Sequence, residues 1–129
     1  MKCLKVESEN LSKIFEKTEA LLCDFEESLK FKAMLICEEV VTNQIRHTDF
    51  EDKEPSIELC VDLKGSDSIV FVFKDNAKEF NPLAKDEPDI TKSLEETELG
   101  GLGIFMVKKY SKNLNYEYKD GFNILKVEL

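Results

Sequence analysis

The sequence predicts a two-layer α/β (α+β) sandwich: a mostly antiparallel sheet with three helices on one face. Three observations predict it. Two segments in the first third of the chain carry apolar residues at helical spacing, an apolar hairpin occupies the middle, and a short helix followed by a second hairpin closes the sequence.

Taken in order, Met1 to Ser8 alternates weakly and reads as an edge strand. Leu11, Ile14, Phe15, Leu21, Leu22 and Phe25 then recur at helical spacing, with Asn10 placed as an N-cap. A second helix is predicted over 31–47, because Met34, Leu35, Cys37, Val40, Val41 and Ile45 form a wide apolar stripe with no proline or glycine. Ser56 to Leu63 and Ser68 to Lys74 flank the turn-rich Lys64-Gly65-Ser66-Asp67 and read as a hairpin; its second strand is almost continuously apolar, as a central strand is. Regular patterning lapses from Asp75 to Leu99, a stretch long enough to mark a functional loop. The glycines Gly100, Gly101 and Gly103 precede a short helix over 104–110, and strands at about 113–118 and 122–127 close the chain around Asp120-Gly121.

The 129 residues are expected to form a single domain, 1–129, burying roughly 65–70% of the surface of the unfolded chain. No apolar run reaches the ~18 residues of a membrane span, and the start of the chain turns polar too soon for a signal peptide, so a cytoplasmic location is expected. With 27 acidic against 18 basic side chains the net charge is −9, which repels nucleic acid and anionic membrane alike. Cys3, Cys23, Cys37 and Cys60 form no metal-binding spacing and lie within apolar patterns, so buried free thiols are expected.

Candidate chemistry is concentrated in three places. Glu39, Asn43 and His47 stand at i, i+4 and i+8 on one helix face; a carboxylate and a carboxamide there suit a proton acceptor and a Mg²⁺ ligand, or else an ordinary solvated face. Asp75 ends an apolar strand, where a rigid carboxylate can accept from an exocyclic amine such as that of adenine, or where Asp75-Asn76 simply forms a turn. The glycines before the last helix allow a close backbone approach to an anion such as a triphosphate.

The order of these parts resembles the GHKL (Bergerat) ATPases, specifically the anti-sigma-factor serine/threonine kinase branch. Cys37 to His47 resembles the N box, which reads Glu-x-x-Thr-Asn followed four residues on by His. Lys74 to Pro82 is similar to the first glycine box, and Gly100 to Val107 to the second. The resemblance implies the Bergerat ATP-binding fold, Glu39 as general base and Asn43 as the Mg²⁺ ligand. It further implies that Asp75 and Ala77 contact the adenine, that Gly100, Gly101, Leu102 and Gly103 cradle the phosphates, and that an ATP lid covers about 76–99. Ala77 departs from the family's glycine and adds a methyl beside the purine. An arginine often found before the second box is missing, with Glu98 and Leu99 in that region, which leaves neutralisation of the γ-phosphate to Mg²⁺ with Lys85 or Lys92.

The resemblance implies ATP and Mg²⁺ as cofactors and phosphoryl transfer to a Ser/Thr of a STAS-type anti-sigma-factor antagonist. A sigma factor and a second copy of the chain are the other implied partners. The alternative is a nucleotide-sensing module that sequesters such a partner without significant catalysis. A free-standing histidine kinase would need a dimerising hairpin with a phospho-accepting histidine, whereas the sole histidine, His47, lies in the N box itself.

Overall fold

Strand alternation and helical periodicity converge on one buried layer. The computed structural model describes residues 1–46, 48–65, 67–84 and 101–129. Five strands, β1 (Lys2–Val6), β2 (Ile57–Lys64), β3 (Ser68–Asp75), β4 (Asn113–Lys119) and β5 (Phe122–Glu128), form one sheet in the order β1-β2-β3-β5-β4. Every neighbouring pair is antiparallel. The weakly alternating N-terminus is therefore the edge strand its pattern predicts, and the nearly continuous apolar run of β3 is explained by its central place.

One face of this sheet is apolar because the register aligns it. Leu59 lies opposite Phe73, which lies opposite Leu125, and Val61 opposite Phe71, which lies opposite Val127. These side chains share a core with Ile14 of α1 (Leu11–Leu21), with Ile36, Cys37, Val40 and Val41 of α2 (Glu27–Arg46), and with Val107 of α3 (Gly101–Tyr110). Three helices packed on one sheet face give the two-layer sandwich that the pattern predicts.

The element ends depart from the apolar pattern in instructive ways. Asn10 does not cap α1 with its side chain; it serves the single 3₁₀ turn before it, accepting from the Glu7 N–H at 2.8 Å and donating to the Lys5 carbonyl at 3.1 Å. Helix α2 begins four residues before the predicted Phe31, because its first turn is Glu27-Ser28-Leu29-Lys30, largely polar and invisible to a search for an apolar stripe. Its buried face is Ala33, Ile36, Cys37, Val40, Val41 and Gln44, rotated from the predicted stripe so that Met34, Leu35 and Ile45 are only partly buried. Helix α3 starts three residues earlier than predicted, so Gly101 and Gly103 lie within its first turn and not in a loop before it. At the β4–β5 turn Asp120 has φ 55° and Gly121 φ 83°, the two left-handed residues a tight two-residue hairpin requires.

The expectation of four buried free thiols is corrected. Cys3 and Cys60 face each other across the β1–β2 pair and form a disulfide, and Cys23 is exposed; only Cys37 is a buried thiol. Spacing along the chain carried no sign of this pair, because strand register brings together residues 57 apart. Burial raises the Cys37 thiol to about 12, the Glu38 charge adds to the rise, and a hydrogen bond with Thr18 opposes it. Below that value the thiol stays protonated, so at pH 8 iodoacetamide should modify Cys23 at least ~100-fold faster than Cys37 in the folded chain. Mass spectrometry of native and denatured samples checks this; equal rates would place Cys37 at the surface. Among the described residues no helix is long and apolar enough to cross a membrane.

Candidate functional site

Helix α2 is the axis of the site. Glu39 and Asn43 are one turn apart and half-buried, while Gln44, the next residue, turns inward with Val40 and Val41. From Glu39 to Gln44 is five residues, about 7.5 Å along the helix, and each end meets a different element.

At the Gln44 end stands Asp75, the last residue of β3 and only 6% exposed. Its Oδ2 accepts from Gln44 Nε2 at 3.0 Å; its Oδ1 accepts from the Ala77 N–H at 3.1 Å and from Asn123 Nδ2 at 3.0 Å. A buried carboxylate needs such donors, and three hold this one rigidly. The bond to the Ala77 N–H also makes Asp75 the head of a local turn, as the turn-forming reading of Asp75-Asn76 expects. Asn76 points elsewhere and ties the preceding loop: its Oδ1 accepts from the Ser56 N–H at 2.8 Å and its Nδ2 donates to the Glu54 carbonyl at 3.0 Å.

Asn123 extends this network to the start of the predicted lid. Besides Asp75, its Nδ2 reaches the carbonyls of Ala77 (3.2 Å) and Lys78 (3.1 Å), while its Oδ1 accepts from the Phe80 N–H at 2.9 Å and from the Tyr116 hydroxyl. Burial holds the Tyr116 phenol above its usual value, with the Glu79 and Asp75 charges adding to the rise against the hydrogen bond from the Phe80 backbone, so the hydroxyl keeps its proton and remains a donor. Ala77 is 1% exposed; its methyl is packed in the interior and its backbone makes the contact with Asp75.

At the Glu39 end lies the first turn of α3. A β-carbon at Gly103 would sit 2.8 Å from Glu39 Cβ and 3.7 Å from Glu39 Oε2, so only glycine permits this approach. The contact puts the Glu39 carboxylate beside a helix start whose backbone N–H groups lack helical acceptors, the arrangement that receives an anion. The residues thus fit a nucleotide in two respects: a glycine cradle that a side chain would fill, and a buried carboxylate that retains acceptor capacity.

The predicted residues therefore gather as two groups on one helix, Glu39 with Gly103 and Asp75 with Ala77, with Asn43 between them. Gly101 opens α3; Gly100, most of the lid (85–99) and His47 lie outside the described residues, as do the side chain of Leu102 and both lysines, Lys85 and Lys92, proposed for the γ-phosphate. Sequence reading missed Gln44, Asn123 and Tyr116. Two of these carried a signal: Gln44 lies three and four residues after Val41 and Val40 on the apolar stripe, and Asn123 occupies the inward position of the alternation Asn123, Leu125, Val127. A polar residue where the pattern demands an apolar one marks a buried hydrogen-bonding duty.

A family model described as histidine kinase-like ATPase domain matches residues 4–129. No curated protein matches the sequence. A model covering nearly the whole chain, on an antiparallel sheet with three helices, settles the family: the chain belongs to the histidine kinase-like ATPase domains of the GHKL superfamily, a membership that points to ATP binding, typically with Mg²⁺.

Proposed function

We propose that the protein is an ATP-dependent serine/threonine kinase of the anti-sigma-factor type, acting on a hydroxyl of a STAS-type antagonist protein. The observation that carries this reading is the seating of Gly103 against Glu39, which supplies a carboxylate at the place where a helix start would receive phosphates. Asp75 accepts from the exocyclic amine of the base, with the Ala77 backbone beside it, and Gly101, Leu102 and Gly103, continuing from Gly100, hold the phosphates through backbone N–H groups. Asn43 would hold Mg²⁺ through its amide oxygen, and the ion would supply neutralisation of the charge on the transferred phosphoryl group. Glu39 takes the proton of the partner's hydroxyl as its oxygen bonds to the γ-phosphorus of ATP; the bond to the bridging oxygen breaks and ADP leaves. A dimer of this chain, a sigma factor as second partner and a cytoplasmic setting complete the proposal.

Glu39→Gln separates chemistry from binding. Its near-isosteric amide leaves the Gly103 contact in place but cannot take a proton, so Mg-ATP affinity by calorimetry should change less than about threefold while phosphotransfer falls by about 10²–10⁴-fold. A variant that still transfers phosphate at the wild-type rate removes Glu39 from the chemistry. A wild type that binds ATP but phosphorylates no antagonist is instead the nucleotide-sensing module.

A further inference from the structure

The Asp75 carboxylate has a companion acceptor. Gln44 is 6% exposed, its Nε2 is committed to Asp75 Oδ2, and among the described residues no donor reaches its Oε1. The amide cannot be turned to cure this, because Nε2 must face the carboxylate; the reverse orientation would set two acceptors against each other. A buried acceptor without a donor is costly in a native fold, and its position beside a carboxylate that already serves three donors points to a ligand group with hydrogens to give.

We infer that Gln44 Oε1 and Asp75 Oδ2 form a paired acceptor that takes both hydrogens of an exocyclic amine, making Gln44 a determinant of base specificity. The inference rests on the reading of Asp75 as the base acceptor. An amino group on a purine has two N–H bonds directed about 120° apart, and a single carboxylate oxygen uses only one of them. With Gln44 as second acceptor, an amine is favoured twice over. A carbonyl oxygen at the same ring position would face two lone-pair-bearing oxygens and give nothing to either. The site then selects adenine against guanine and hypoxanthine by leaving two buried acceptors unsatisfied when the wrong base enters, a stronger discrimination than shape alone provides. Gln44 does this from the rigid, core-facing side of α2, where its carboxamide is fixed by the bond to Asp75.

The test is calorimetric titration of the full chain, in Mg²⁺, with ATP and with purine riboside triphosphate, which lacks the amine. Wild type should prefer ATP by about 100-fold. In Gln44→Met, which keeps the volume and removes the acceptor, that preference should narrow by about tenfold, with purine riboside triphosphate held within about twofold of its wild-type affinity. An unchanged preference overturns the inference. Equal weakening of both nucleotides also overturns it, because Gln44 would then act only by holding Asp75. Should Gln44→Met fail to fold, wild type decides alone: N6-methyl-ATP, with one N–H left, should bind about tenfold more weakly than ATP, and equal affinities would overturn the pairing. Wild type binding no nucleotide removes the kinase reading and the inference together, whereas binding with an unmoved preference removes only the inference.

Discussion

Replacing Asp75 with asparagine should weaken ATP binding by about 100-fold or more while leaving the chain folded. The carboxylate accepts from Gln44, Ala77 and Asn123, and an asparagine can keep its oxygen toward the Ala77 and Asn123 donors. Its new N–H groups then oppose Gln44 Nε2, a donor against a donor. Gln44 can answer by turning its amide over, so that Oε1 accepts from the new amide and the buried acceptor gains a partner. The fold then loses only the charge-assisted part of the network, about 1–2 kcal/mol by chemical denaturation. The base loses far more: both acceptors offered to an amine are replaced by amide N–H groups or consumed between the two side chains. Calorimetry and denaturation on the same sample separate these effects. ATP affinity within about threefold of wild type would exclude Asp75 as the base acceptor; complete unfolding would make it a structural keystone.

Gly103→Ala carries the second large effect and sets two known tendencies against each other. Alanine is favoured over glycine inside a helix by about 1 kcal/mol, so propensity alone predicts a more stable protein. The added carbon, however, would lie 2.8 Å from Glu39 Cβ, and both atoms are fixed to helical backbone and cannot rotate apart. The helices must separate, and the lost packing around Val107 and Val40 should outweigh the propensity gain, for a net loss of about 1–3 kcal/mol. Separation also moves the α3 start away from Glu39, so ATP affinity should fall about tenfold. A Gly103→Ala protein more stable than wild type would show that α2 and α3 do not touch at this point. The double variant Glu39→Gly/Gly103→Ala exchanges the small residue between the helices and should recover part of the stability lost by Gly103→Ala, the coupling expected of a direct contact.

Patterns of short range were legible in the sequence and relations of long range were not. The strands were legible by alternation or, for β3, by a nearly continuous apolar run, and their turns by Gly65 and Asp120-Gly121, because a hairpin is encoded within some fifteen neighbouring residues. The start of α2 was missed because helix starts are polar, and the placement of Gly101 and Gly103 inside α3 was missed because glycine argues against a helix wherever propensity alone is read. The Cys3–Cys60 bond and the Asp75–Asn123 bond depend on strand register, which no local pattern states. For the site, Glu39, Asn43, Asp75 and the glycines could be named because their spacing repeats that of a family. Gln44 was passed over although it lies on the apolar stripe, since a residue read as part of a motif is not asked which way it points. Rotation of the buried face of α2 by one residue settles that question, and it needed the fold.

Asp75 also has a bearing on when the chain acquires its ligand. Its two side-chain partners lie 31 and 48 residues away in sequence, Gln44 on one side and Asn123 on the other. The β2–β3 and β4–β5 hairpins close over a few residues each, whereas the β3–β5 pairing and the docking of α2 close long loops and carry a larger entropic cost. The proposed base acceptor is thus completed by the pairings that close the longer loops, and by neither hairpin alone. On the proposed function, a chain in which these pairings are unmade holds all the motif residues without the acceptor they build, and nucleotide that binds only the folded chain draws the population toward it by mass action.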